Sequence, residues 1–373
     1  VSGVLFVTRN FPPLVGGMER LALEAVRALA EAADVTLVGP KGCEAWHAGE
    51  TRGVAHASAA RFLLDSWWTA RHLAAANHYQ WVIGGSGLAA PAVLAAARRA
   101  GARSACLVHG LDLVVDSAVY RTLCLPALRR MDRLIANSHN TARLAGQVGI
   151  PAERVRVLHP GVALADGAEA EPFLEAFPVA RNRRVLLSVG RLLPRKGLVD
   201  FVRHVLPAVV ARHPDVLLVI AGGRAADALA RQGDEERRLR EAVSQTGLAS
   251  HVLFTGEVSD ALLQALYGAA SLLVFPVQDL PGDVEGFGMV ALEAAAQGVP
   301  TIAFAAGGVP DAVADGVSGF LLPAGEFDRM AARVNACLDG DWAGVSAHSC
   351  RAFAEGFAWP RYGERLRELL FGG

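Results

Sequence analysis

Lysine is nearly missing from this sequence. Of its 36 basic residues only Lys41 and Lys196 are lysines, so a lysine here is not the ordinary means of placing positive charge on a surface. An excess of either charge is also absent. The 36 basic and 37 acidic residues leave a net charge of −1, without the basic balance that marks a dedicated nucleic-acid binder. No unbroken apolar run reaches the roughly 18 residues of a membrane helix. The longest candidate, Gly84 to Ala97, is glycine-rich and holds a proline, although the mean hydropathy of +0.30 is high. The five cysteines (Cys43, Cys106, Cys124, Cys337, Cys350) are scattered and form no C-x-x-C pair, which argues against a disulfide framework or zinc site and fits a reducing compartment. The opening Val-Ser-Gly-Val-Leu carries no basic n-region and no signal core, so the expected location is cytoplasmic.

What is present reads as a globular α/β protein of 373 residues, 52% hydrophobic and 20% charged, with a length that favours two domains. Short runs rich in Val, Leu and Ile predict strands at Val4–Thr8, Val35–Gly39, Trp81–Gly84, Ser104–His109, Leu134–Asn137 and Val155–Leu158. Helical patterns such as Glu19–Ala30 and Asn140–Val148 lie between most of them. Continuously apolar strands alternating with helices imply a parallel sheet covered on both faces. The rhythm breaks around Ala163–Arg184, where the interdomain connection is expected, and then restarts. The second set of strands is Val185–Val189, Val216–Ala221, Val252–Thr255, Leu272–Phe275, Thr301–Phe304 and Gly319–Leu322. The fold expected is two doubly wound units in tandem, facing across a cleft, with ligands at the carboxyl ends of the strands. The last segment, Trp359–Leu370, reads as an amphipathic helix.

Several strand ends carry residues suited to chemistry. Arg9 to Gly17 closes the first strand, and Gly16 and Gly17 would bring backbone N–H groups and a helix dipole to an anion. The same pair would equally serve as a packing turn, and it is not a dinucleotide fingerprint. In the second half, Arg191 and Lys196 stand five positions apart in Gly190–Gly197 and can converge on one diphosphate, or remain solvated loop charges. Asp283–Glu293 places Glu285 before a glycine-broken turn and Glu293 about two turns into a helix, flanked by Leu292 and Ala294. Two carboxylates so spaced could hold different hydroxyls of an extended ligand, with N–H donors at Gly286 and Gly288 between them. The alternative is a helix cap and a paired interior Glu. His109 ends a strand before Gly110-Leu111-Asp112, as an orienter, a proton donor or a side chain satisfied by its neighbours. Gly307–Asp311 is a further glycine turn, and Asp339-Gly340-Asp341, formally D-x-D, lies too far along the chain to serve the phosphate candidates. Residues 61–133 hold nine basic and four acidic side chains, with Trp67 and Trp68 nearby and four arginines in Tyr120–Arg133. This is either a face for anionic lipid or an ordinary solvated surface.

Together these elements resemble the retaining glycosyltransferases of family 4, which have the GT-B fold. The likeness rests on Pro13–Gly17, His109–Asp112, Gly190-Arg191 with Lys196-Gly197, Glu285-x7-Glu293 and the closing Phe357-Ala358-Trp359, and it covers essentially the whole chain. The Asp283–Gly288 form is similar to bacterial enzymes that glycosylate lipid-linked acceptors, mannosyltransferases among them.

The resemblance implies an acceptor-binding domain at residues 1–170, joined by a terminal helix at 358–373 that crosses back, and a nucleotide-sugar domain at 171–357. It implies that Gly16, Gly17, Arg191 and Lys196 hold a diphosphate, that Glu293 takes the ribose hydroxyls, and that backbone near Val258 meets the base. Glu285, with the amides of Phe287 and Gly288 and the neighbouring Gly286, Met289 and Val290, would contact the donor sugar. His109 would lie beside the transferred sugar, with Asp112 and Arg9 as acceptor-side candidates. His109, Arg191, Lys196 and Glu285 form the expected catalytic set. No metal and no further cofactor are expected, because cations and amide dipoles can carry the charge of the leaving diphosphate. Expected partners are a nucleotide-sugar donor, a glycan or lipid-linked acceptor and the inner leaflet of a membrane, but no nucleic acid. The rival readings are a nucleotide-sugar epimerase of GT-B-like fold and a non-catalytic sugar-binding protein.

Overall fold

Strands that are apolar on every residue have no face to offer to water, and here they form the interiors of two separate sheets. The computed structural model describes residues 3–118, 120–164, 167–223 and 235–372. The chain divides into two compact units, Val1–Gly161 with Trp359–Gly373, and Val162–Ala358.

The first unit holds β1 (Gly3–Val7), β2 (Asp34–Pro40), β3 (Thr51–Val54), β4 (Trp81–Gly84), β5 (Arg103–Val108), β6 (Arg133–Ala136) and β7 (Val155–Val157). They pair in the order β3-β2-β1-β4-β5-β6-β7, with every pairing parallel. Phe6 stands in register with Leu37 on one side and Ile83 on the other. Its core is completed by Leu21, Val26 and Leu29 of the helix Gly17–Ala30 and by Tyr362, Leu366 and Leu370 of the terminal helix Trp359–Phe371. The buried Trp81 indole N–H donates to the Leu370 carbonyl at 2.9 Å, tying that helix to β4. Lys41, directly after β2, is exposed.

The second unit holds β8 (Arg184–Val189), β9 (Val216–Ala221), β10 (Val252–Gly256), β11 (Ala270–Phe275), β12 (Thr301–Phe304) and β13 (Gly319–Leu322), all parallel, in the order β10-β9-β8-β11-β12-β13. All six residues of β9 and all four of β12 are buried. Of the expected connection Ala163–Arg184, positions 165 and 166 lie outside the described residues. Its later part contains a short helix, Glu171–Ala176, whose Phe173 is fully buried in the core of this unit.

The strand order reverses between β1 and β4 in the first sheet and between β8 and β11 in the second. Loops leaving neighbouring strands on opposite sides of a sheet part at such points and leave a crevice, the usual ligand position in a doubly wound fold. Most of the candidate residues follow the carboxyl ends of the strands at or next to these two reversals.

Candidate active site

In the second unit the loop after β8 and the loop after β11 are built against each other. Gln278 N–H, after β11, donates to the Arg195 carbonyl (2.8 Å), and Leu192 N–H ties the first loop also to the one after β9 through the Gly223 carbonyl (3.1 Å). Gly197 closes the turn Pro194–Lys196 with φ +68°, and a Cβ there would run into the Pro276 carbonyl, so the position demands glycine on both counts. The docking sets Arg195 and Lys196 beside Asp283 and Glu285. Lys196 Nζ donates to Glu285 Oε2 at 2.8 Å, and Arg195 Nε reaches the same oxygen at 3.2 Å. Arg195 Nη1 bonds Asp283 Oδ1 at 3.0 Å. All four side chains are only 11 to 13% exposed.

Two cations and two carboxylates withdrawn from water must neutralise one another, and the protonation behaviour shows it. Burial alone would raise the Glu285 carboxyl, but Lys196 and then Arg195 hold it down at about 2. Burial presses Lys196 below the usual ammonium range, aided by Arg195 and Arg191 and opposed by Glu285. The ammonium also stands 4.7 Å from the Phe275 ring centroid. Arg191 is exposed and has no ion-pair partner among the described residues. An exposed, unpaired cation beside a buried, paired one suits a phosphate anion.

The helix Met289–Ala296 begins after Gly288 without a side-chain cap, leaving first-turn N–H groups available to an acceptor atom. Gly308 N–H donates to the Glu285 carbonyl at 2.9 Å, so the Gly307-Gly308 turn braces the Glu285–Phe287 segment from behind. Phe287 and Gly288 are buried, whereas Gly286, Met289, Val290 and, after β10, Val258 are half-buried. Glu293 accepts from the Tyr267 hydroxyl at 3.1 Å and is half-buried.

In the first unit, Gly16 and Gly17 are exposed at the start of the helix Gly17–Ala30, which also lacks a side-chain cap. Asn10 Nδ2 donates to Glu19 Oε1 (2.7 Å), fastening the loop after β1 to the first turn of that helix. Arg9 Nε donates to the His56 carbonyl at 3.0 Å. His109, immediately after β5, is buried with its Nε2 2.8 Å from the Gly85 carbonyl. Its main-chain N–H donates to Asp112 Oδ2 at 2.8 Å. Asp112 Oδ1 accepts from Gly87 N–H (3.1 Å) and from the Tyr120 hydroxyl (3.0 Å).

The fold thus gathers Lys196 and Glu285 into one cluster, puts Arg191 in the same loop, and gives Glu293 a partner of its own in Tyr267. Arg195, Asp283, Tyr267 and Tyr120 were passed over in the sequence. Arg195 is next to Lys196 and Asp283 alternates with Glu285, which could have flagged them, but nothing local marks either tyrosine. Asp339 of the D-x-D segment is paired with Arg212 at 2.6 Å.

Residues 171–355 match the model of the glycosyl transferases group 1, and residues 15–166 match that of glycosyltransferase family 4. A GDP-mannose-dependent alpha-(1-6)-phosphatidylinositol monomannoside mannosyltransferase of Mycolicibacterium smegmatis is 30% identical, covering 99% of this chain and 98% of its own. A D-inositol 3-phosphate glycosyltransferase of the same organism is 34% identical over 61% of this chain and 50% of its own. Among solved structures, Anabaena Alr3699/HepE in complex with UDP-glucose superposes with a TM-score of 0.79 at 22% identity, over the full length of both chains. The two Rossmann-like units are those of the GT-B fold, and the chain belongs to the family 4 glycosyltransferases.

Proposed function

We propose that this glycosyltransferase is a retaining, metal-independent hexosyltransferase that moves a sugar from a UDP- or GDP-linked donor to a glycan or lipid-linked acceptor. The second unit takes the donor, and the first unit, with its terminal helix, takes the acceptor. The buried cluster of Arg195, Lys196, Asp283 and Glu285 at the β8–β11 reversal carries this reading. Lys196 and Arg191 receive the diphosphate, and the uncapped N-terminus of Met289–Ala296 adds oriented N–H groups. Glu285 is held through Oε2, which leaves Oε1 to accept from a sugar hydroxyl, and Glu293 takes the ribose hydroxyls. On the first unit, Gly16 and Gly17 offer N–H groups to a phosphate, and His109 lies beside the transferred sugar.

As the sugar–phosphate bond breaks, negative charge gathers on the diphosphate, and fixed cations lower that barrier without reorganisation. The departing phosphate oxygen takes the proton of the acceptor hydroxyl while the acceptor oxygen bonds to the same face of the anomeric carbon, which retains its configuration.

GDP-mannose is the first donor to test, because the full-length relative named above is GDP-mannose-dependent. A thermal-shift screen against UDP-, GDP-, ADP- and dTDP-sugars identifies the donor. Transfer to a lipid extract, with product configuration read by NMR and EDTA added in parallel, tests the rest. The expected result is stabilisation by one nucleotide class, a retained anomer and EDTA-insensitive turnover. Donor conversion without acceptor would indicate an epimerase, binding without turnover a sugar-binding protein, and an inverted product would refute the mechanism. The protein is further proposed to work in the cytoplasm with its first unit against the inner leaflet. Leu64 and Trp68, 64% and 60% exposed one helical turn apart, support this.

A further inference from the structure

The chemistry above leaves Asp112 without a task, although it is a buried carboxylate at a sheet reversal with every bond inside the first unit. Its two oxygens collect three donors from three separate segments: His109 N–H after β5, Gly87 N–H after β4, and the hydroxyl of Tyr120. Asp112 and Tyr120 are 7% and 4% exposed, so water does not compete for these bonds. Gly87 is shaped by the arrangement, because a Cβ there would overlap the Tyr120 hydroxyl. The Tyr120 phenol is pushed well above its ordinary range, chiefly by burial and by Asp112, and so stays a proton donor.

One carboxylate therefore locks the loop that bears His109 to the loop that bears Gly85. Gly85 in turn supplies the carbonyl 2.8 Å from His109 Nε2. A carbonyl oxygen only accepts, so in the neutral ring the proton sits on Nε2 and Nδ1 keeps its lone pair. Nδ1 has no hydrogen-bond partner among the described residues and is not among their sealed, unpaired polar atoms.

We propose that Tyr120 is a positioning residue. Acting through Asp112, it holds the β4 and β5 loops so that His109 is fixed as the Nε2–H tautomer, with Nδ1 presented as an acceptor for a hydroxyl of the transferred sugar. This rests on the placement of His109 beside that sugar.

The test uses the full-length protein labelled with 15N-histidine, with His109→Gln to assign the ring signals. In the wild type, His109 should show a protonated Nε2 and an unprotonated Nδ1. In Tyr120→Phe the pattern should shift toward a mixture of tautomers. With the donor identified above, kcat of Tyr120→Phe should fall about tenfold while donor KM stays within about twofold. A proton on Nδ1 in the wild type would overturn the proposal. So would a Tyr120→Phe variant with unchanged ring signals and unchanged kcat while His109→Gln is slow, and in that case the role of His109 stands. Wild-type turnover in His109→Gln would overturn both together.

Discussion

Glu285 Oε2 receives Lys196 and Arg195 at once, and that double contact decides how this cluster answers to acid. The native carboxyl is held at about 2, against an ordinary 4.5. A depressed carboxyl binds its proton more readily in the unfolded chain. Its contribution is therefore complete above about pH 4.5 and is lost as the pH falls toward 2. Glu285→Gln leaves two buried cations facing one carboxylate, at a cost of about 3–5 kcal/mol near pH 7. Urea unfolding should show the variant weaker at pH 7 but losing less than the wild type between pH 7 and pH 3. Equal losses in the two proteins would refute the coupling. Transfer by the variant should fall about a hundredfold or more. Lys196 drew notice in the sequence because lysine is so scarce, and Glu285 because glycines break the turn after it. Asp283 and Tyr267 did not, because their partners lie 88 and 26 residues away and only folding brings them into contact.

Among the elements, the helix Ala59–Ala76 joins a buried stripe (Phe62, Ala70, Leu73) to an outward one that carries Leu64 and Trp68. The Arg71 guanidinium stands 4.7 Å over the Trp67 ring, and Arg61 is exposed on the same helix. An indole and a leucine placed beside cations match the boundary between lipid headgroups and acyl chains. Leu64→Ser with Trp68→Ser should cut co-sedimentation with vesicles rich in anionic lipid and leave donor-induced thermal shifts unchanged. Equal sedimentation of variant and wild type would remove this helix from any membrane role. Strands were legible in proportion to their burial. Val216–Ala221 and Thr301–Phe304 coincide with expectation because every residue is apolar or enclosed. β3 was missed: Thr51-Arg52-Gly53-Val54 is an edge strand with Arg52 exposed, and it has neither an apolar run nor alternation.

For the molecule as a whole, the repeated strand rhythm disclosed two doubly wound units because each sheet is wound in one contiguous stretch of sequence. The two differ in how they are closed. Val162–Ala358 is a single run of chain with its own core, whereas the first unit takes Tyr362, Leu366 and Leu370 from the far end of the chain. Residues 162–358 expressed alone should therefore fold and be stabilised by the donor nucleotide. Deleting residues 359–373 should strip the first unit of core side chains worth on the order of 5 kcal/mol or more, comparable to the whole stability of a domain. Circular dichroism melts of both truncated proteins, with and without GDP or UDP, would test this, and an unaltered melt after the deletion would contradict it. The seclusion of Lys196 also has a practical outcome. Its amine is closed in by Glu285 while Lys41 lies open, so mild acylating reagents find one accessible side-chain amine. A dye, a spin label or a solid support can be attached at Lys41 while the buried cluster around Lys196 stays chemically untouched.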